Sequence, residues 1–197
     1  LNLAMTYMRG VYYAVHDADD LRPAQAIAAQ VAVIEAHPHV AAVLCGHRLI
    51  LPGGRHVAPR FRSKGVEACR RDILAMRLPA HDPTALYRVA LVRDLAYEPT
   101  LRIGQGFDYL LRVGERHPMM VLGRCLYGYR VRRDSVTRAG VERRQAFVNE
   151  VFRRARERRG QLQHTSPGAT RARDRSNNLA AHFIESVLDL RGAGRRW

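Results

Sequence analysis

The stretch VYYAVHDADDLRP, residues 11–23, sets a short apolar run against three carboxylates, Asp17, Asp19 and Asp20, in a chain whose formal charge is +15. Carboxylate oxygens are preferred by hard divalent cations such as Mg²⁺ and Mn²⁺, which often keep a phosphate as a further ligand. A strand end is also where open α/β sheets gather their ligands. The same spacing suits a solvated loop or the N-cap of a following helix, so on spacing alone both readings stand. His16, beside the cluster, reads as a packed strand residue, and so do Tyr127 and Tyr129 further on.

The elements that must position these residues follow from the pattern. LNLAMTYMRG reads as the end of a helix stopped by Gly10. VYYAVH is β-branched and aromatic, hence a buried strand. RPAQAIAAQVAVIEAHP carries Ile27, Val31 and Ile34 at helical spacing and is a helix ended before Pro38. VAAVLCGHRLIL is a second strand, followed by a turn at PGG, residues 52–54, and a basic loop over 55–65. GVEACRRDILAMRL is a helix, TALYRVALVRDL a strand or short helix, and AYEPTLRIGQG a loop. FDYLLRVGERH is a helix and MMVLGRCLYGYRVR a strand. VERRQAFVNEVFRRARERRG is a long basic helix whose arginines are expected to turn outward. A polar linker near 160–177 and a last amphipathic helix close the chain. The alternation of strands and helices in the first half is that of an α/β protein.

Composition narrows the function classes. With 47% hydrophobic residues in a chain of 197, there is material for one sizeable core. No apolar run approaches the roughly 20 residues that span a bilayer, and LNLAMTYMRG has no signal-peptide pattern. Three widely spaced cysteines, Cys45, Cys69 and Cys125, argue against a disulfide framework and for reduced thiols in a cytoplasmic protein. The basic residues are almost all arginine, Lys64 being the only lysine. Few aromatics lie among the arginines as stacking platforms, so no nucleic-acid partner is expected, and a basic nucleic-acid-binding protein, suggested by charge alone, is the lesser alternative. Attraction to anionic lipid, and a peripheral position at the inner face of a membrane, stay open.

Residues 1–38 resemble the middle of the family 2 glycosyltransferases, which have the GT-A fold. The likeness lies in Asn2, Gly10, DADD, Pro23 and the His37–Pro38 pair. HDPTALYR (81–88) resembles the segment before that family's acceptor site. GQGFDYLLRVGE resembles its Glu-Asp helix, which carries the catalytic base, and LYGYRVRRDSVTR its late Tyr-Arg-x-His segment. The resemblance covers roughly residues 1–140 and implies a Rossmann-like GT-A core, with 141–197 as a basic helical extension.

It further implies a metal-dependent, inverting transfer of sugar from a nucleotide-diphosphate sugar to a saccharide, lipid-linked or secondary-metabolite acceptor. Asp17 and Asp19 would then bind the donor. Asp19 and above all Asp20 would hold Mn²⁺ or Mg²⁺, and Arg130 and Arg132 would face the diphosphate. His81, Asp82 and Gln105 fall on the acceptor side.

The chain departs from the family in three places. The family's first strands, with its nucleobase site, have no counterpart before Leu1, so a truncated sheet is expected. Gln105 and Gly106 stand where Glu and Asp are usual, which leaves Asp108 as the expected base. Arg132 replaces a histidine. A catalytically inactive remnant is therefore the alternative reading.

Overall fold

The computed structural model describes residues 1–57, 61–131 and 141–160, the first five of the last segment by their backbone alone. Helix α1 is Asn2–Thr6, strand β1 Tyr12–Tyr13, α2 Gln25–Ala36, β2 Ala42–Ile50 and β3 His56–Val57. Then come α3 Val66–Leu74, β4 Leu86–Arg88, α4 Val89–Val92, α5 Gln105–Arg116, β5 Met119–Arg130 and α6 Val141–Arg158. A 3₁₀ turn, Asp82–Thr84, leads into β4.

Strand β2 is the centre of an open mixed sheet. It pairs in parallel with β5 along its length and, on its other edge, antiparallel with β4 and with β3; β1 pairs with β4. Its continuous apolar run fits burial on both faces. Side chains alternate across a strand: Ala42 and Leu44 enter one core, and Val43 enters another with Ile34, Val40 and Leu86. Helix α2 covers the second face through Ala26, Gln30 and Ile34, four residues apart. Helices α3, α5 and α6 cover the first.

The structure departs from the sequence pattern at several elements. Helix α1 ends at Thr6, ahead of Gly10. The expected strand VYYAVH shrinks to two half-buried residues, because only Tyr12 and Tyr13 find partners, in β4. His16 is exposed rather than packed. The basic loop contains β3, which folds back on β2. TALYRVALVRDL is both a strand and a short helix, β4 and α4.

Helix α6 lays Val148, Val151, Phe152 and Ala155 into the main core, as expected. Its arginines do not all turn outward: Arg154 pairs with Glu98, Arg158 with Asp108 and Glu115, and Arg159 with Glu115. The linker and the last amphipathic helix lie outside the described residues.

Candidate functional site

The carboxylate cluster sits on a turn, with the Asp20 amide donating to the Asp17 carbonyl at 3.0 Å. The turn is tied to the far end of β5. Leu21 and Gly128 exchange both backbone hydrogen bonds, at 2.9 and 2.7 Å. A Cβ on residue 128 would stand 3.2 Å from the Leu21 Cβ, so glycine suits this close approach. Register shifts near Gly46 let β5 run ahead of β2, carrying its partners from Leu122 opposite Cys45 to Tyr127 opposite His47.

Asp20 is 6% exposed. Its Oδ1 accepts from the Arg130 amide and its Oδ2 from the Tyr127 hydroxyl, both at 2.7 Å. Burial raises its pKa, against those two hydrogen bonds. Each oxygen thus accepts one hydrogen bond from the protein, which fixes the orientation of the carboxylate expected to be the direct metal ligand and leaves each oxygen a further lone pair. Asp17 and Asp19 remain exposed. Exposed as a residue, Asp17 still has enough protein around its carboxyl for lost solvation, and then the Asp19 charge, to push its pKa up. Arg130 donates its Nε to the Asp19 carbonyl at 2.7 Å, holding the turn. Arg132 lies outside the described residues.

A residue that the sequence reading passed over links this turn to the next. Arg22 donates to the carbonyls of Val15 and Pro83, at 3.1 and 2.5 Å, and to Gln30 Oε1 at 3.2 Å. Buried Gln30 in turn donates to the carbonyls of Val43 and Thr84, at 2.6 and 2.8 Å. The HDPT turn is thereby fastened beside the DADD turn, and Asp17 lies near enough to raise the Asp82 pKa through space.

Asp82 was expected at the acceptor side, and the structure buries it in a cage of tyrosines. It is 7% exposed. Tyr87 donates to its Oδ1; Tyr97 donates to Oδ1 at 3.2 Å and to Oδ2 at 3.1 Å. Tyr13 stacks on Tyr87 at 4.9 Å, Tyr109 stacks on Tyr97 at 4.2 Å, and the hydroxyls of Tyr13 and Tyr109 share a hydrogen bond. Asn2 fixes Tyr97 by exchanging two 2.8 Å bonds with its backbone. Burial pushes the Asp82 carboxyl up to about 7 against the pull of its two tyrosine donors. The tyrosines come from two strands, a loop and helix α5, up to 96 positions apart, and no local spacing marks such a cage.

Helix α5 separates Asp82 from Asp108. It starts after Gly104, whose φ of 85° lies in the left-handed region that favours glycine. At 100° per residue, positions 106 and 108 project on opposite sides of the helix. Gly106 faces Asp82: a Cβ there would stand 2.6 Å from the Asp82 Cβ and 2.7 Å from its Oδ2. Asp108, 2% exposed, faces α6. It pairs with Arg112 at 2.8 Å and with Arg158 at 3.1 Å. The expected catalytic base is therefore held in an ion-pair seam, on the far side of the helix from the HDPT turn. A charged cleft of about 410 Å³ runs along that seam, lined by Tyr97, Asp108, Arg112, Arg154 and Arg158.

The remaining acceptor-side residues stand apart in role. The His81 carbonyl closes the HDPT turn by accepting from the Thr84 amide and hydroxyl, at 3.0 and 2.6 Å. Its ring lies 4.7 Å from that of His47 and stacks against Tyr129 at 6.5 Å. Gln105 opens α5 and is half-buried. Burial holds the Cys45 and Cys69 thiols up at about 11, which fits inert core residues.

Among the described residues no group of three or more acidic, histidine or cysteine side chains is arranged to hold a metal ion. Two exposed carboxylates in one turn still suit a cation that takes most of its remaining ligands from phosphate and water. Asp19 and Asp20 are the residues that would hold Mg²⁺ or Mn²⁺ in this turn, with Asp17 beside them.

No protein-family model matches the chain. A protein of Sinorhizobium fredii described as uncharacterized protein y4gI is 30% identical over 161 residues, a match that takes in 79% of this chain and 17% of that one. The chain thus spans about a sixth of that relative's length. The fold is similar to that of the S. aureus glycosyltransferase TarS. The crystal structure of TarS residues 1–349 matches with a TM-score of 0.53 and 21% identity, covering 66% of this chain and 38% of that one. A second TarS structure matches with a TM-score of 0.51 and 20% identity, covering 66% and 23%. At such identity the likeness shows the fold alone, an α/β fold similar to that of TarS. Among the described residues no helix is long and apolar enough to cross a membrane.

Proposed function

We propose that this chain is the donor-binding and catalytic portion of a glycosyltransferase, moving a sugar from a nucleotide-diphosphate sugar to a hydroxyl acceptor with inversion. The observation that carries the reading is the DADD turn within a glycosyltransferase-like fold. Asp20 is held inward by Tyr127 and the Arg130 amide, while Asp17 and Asp19 are exposed at the surface. Asp17 and Asp19 bind the donor, with Asp19 and Asp20 holding Mn²⁺ or Mg²⁺. A divalent cation there supplies positive charge to the leaving diphosphate. Arg130 braces the turn and adds its own charge near the diphosphate. The acceptor is a saccharide, a lipid-linked sugar or a small metabolite that approaches from the HDPT turn and the start of α5.

Uridine diphosphate with Mn²⁺ tests the donor site. Bound at a hundredfold excess over its dissociation constant, it should stabilise the folded chain by about 2.7 kcal/mol. Asp19→Asn should lose most of that gain while keeping the fold, since Asp19 is exposed. Equal Mn²⁺-dependent shifts in the two proteins, or none in either, would remove the donor site. Gly106 favours the second reading, a catalytically inactive remnant, and binding without transfer is its signature.

A further inference from the structure

We propose that Asp82 is the general base of this site, taking the acceptor's proton on its Oδ2 from the sheet side of α5. The inference rests on the glycosyltransferase reading and supplies the proton acceptor that Asp108, held by two arginines, is badly placed to be.

Three independent features of the geometry carry it. The first is position. Arg22 and Gln30 fasten the HDPT turn beside the DADD turn, so the Asp82 carboxylate stands next to the proposed donor site. The second is space. Asp82 occupies the volume that any side chain on residue 106 would need, and Gly106 is what lets the carboxylate stand against the first turn of α5. A carboxylate is thus delivered to that face of the helix from the neighbouring turn.

The third feature is the partner set. Among the described residues no arginine, lysine or histidine forms an ion pair with Asp82; its hydrogen-bond donors are the hydroxyls of Tyr87 and Tyr97. Three of these contacts converge unevenly. Oδ1 accepts from both tyrosines, and Oδ2 accepts only at 3.1 Å from Tyr97, leaving it lone-pair capacity for a substrate hydroxyl. Tyr13 and Tyr109, stacked behind the two donors, and Asp17, across from the turn, are the other titratable groups that face it. A buried carboxylate without a cation holds a proton more readily than one in an ion pair, which is what a base working near neutral pH requires.

The step balances without any further reagent. The acceptor oxygen forms its bond to the anomeric carbon as its proton passes to Asp82 Oδ2. The bond from the anomeric carbon to the phosphate oxygen breaks, and its electron pair leaves with the nucleoside diphosphate.

The whole chain is assayed for sugar transfer from UDP-, GDP- and dTDP-glucose to a panel of alkyl glycosides, with UDP–Mn²⁺ binding followed separately by thermal shift. Asp82→Asn keeps an oxygen for the two tyrosines. It should lower turnover by about 10² to 10⁴ and leave the UDP–Mn²⁺ shift unchanged. Tyr97→Phe is the second variant. Removing a hydrogen bond to the carboxylate raises its proton affinity, so the rising limb of rate against pH should move to higher pH. Transfer by Asp82→Asn at the unmodified rate overturns the proposal, as does a limb that Tyr97→Phe leaves in place. Binding of UDP–Mn²⁺ by the unmodified chain with no transfer also overturns it, while the donor site stands. Absence of that binding brings down the donor-site reading itself.

Discussion

Asp82 and Asp108 are two buried carboxylates on opposite sides of one helix, and they have been given opposite surroundings. Asp108 faces α6, with Arg112 and Arg158 within 3.1 Å. Asp82 faces the sheet, with tyrosine hydroxyls for partners and no ion pair among the described residues. A buried charge matched by opposite charges becomes a structural fastening. A buried carboxyl given only neutral donors keeps a high proton affinity, about 7 for Asp82, and so stays available for proton transfer. Residue type alone cannot tell the two apart; the partners do.

The contrast predicts effects of opposite sign. Asp108→Ala would strand Arg112 and Arg158 against the core side of the seam. Both arginines keep some solvent, with side chains 17% and 30% exposed. The loss should therefore fall at the low end of the range for broken buried pairs, about 3 kcal/mol in urea unfolding. A change below about 0.5 kcal/mol would mean that the seam is not a fastening.

For Asp82 the expected effect lies in the pH dependence. Its carboxyl titrates near 3.8 when unfolded and near 7 when folded. Between those values the folded chain holds a proton that the unfolded chain has lost, so its contribution to stability falls as pH rises and levels off above about 7. At about 1.4 kcal/mol per pKa unit the fall is on the order of 4 kcal/mol. Asp82→Asn should flatten that part of the profile and be the more stable protein at pH 8. Parallel profiles for the two proteins would show that Asp82 ionises in both states alike.

The smallest expected effect belongs to Gly106. Alanine ordinarily gains up to about 1 kcal/mol over glycine inside a helix. Here the added Cβ meets Asp82 at 2.6 Å, so Gly106→Ala should instead cost roughly 1–2 kcal/mol. Combining it with Asp82→Gly should return most of that loss. A stabilising Gly106→Ala would break the claim that the two residues share one space.

Helix α6 carries a related lesson. Its basic composition suggested a face turned to anionic lipid, yet Arg154, Arg158 and Arg159 spend their charge on Glu98, Asp108 and Glu115. Glutamates and an aspartate scattered over positions 98–115 meet those arginines only when α6 docks. The apolar positions of α6 were readable because a 3.6-residue period repeats within the helix itself. The destination of its arginines was not, because their partners lie 43 to 56 residues away.

The sequence by itself determined the local pattern: the α2, α3 and α5 helices, the apolar run of β2, the turn at Gly53 and Gly54, and the acidic turn after the first strand. These follow from periodicity, backbone freedom and charge within a dozen residues. Tertiary structure decided what each carboxylate does. Asp20 turned inward because β5, a hundred residues on, brought Tyr127 and the Arg130 amide to it. Asp82 became a caged acid because Arg22, Gln30 and four tyrosines converged on its turn. Asp108 became a fastening because α6 packed over it. A carboxylate's role is set by the donors and charges around it, and in this chain those arrive from positions that no local reading of the sequence connects.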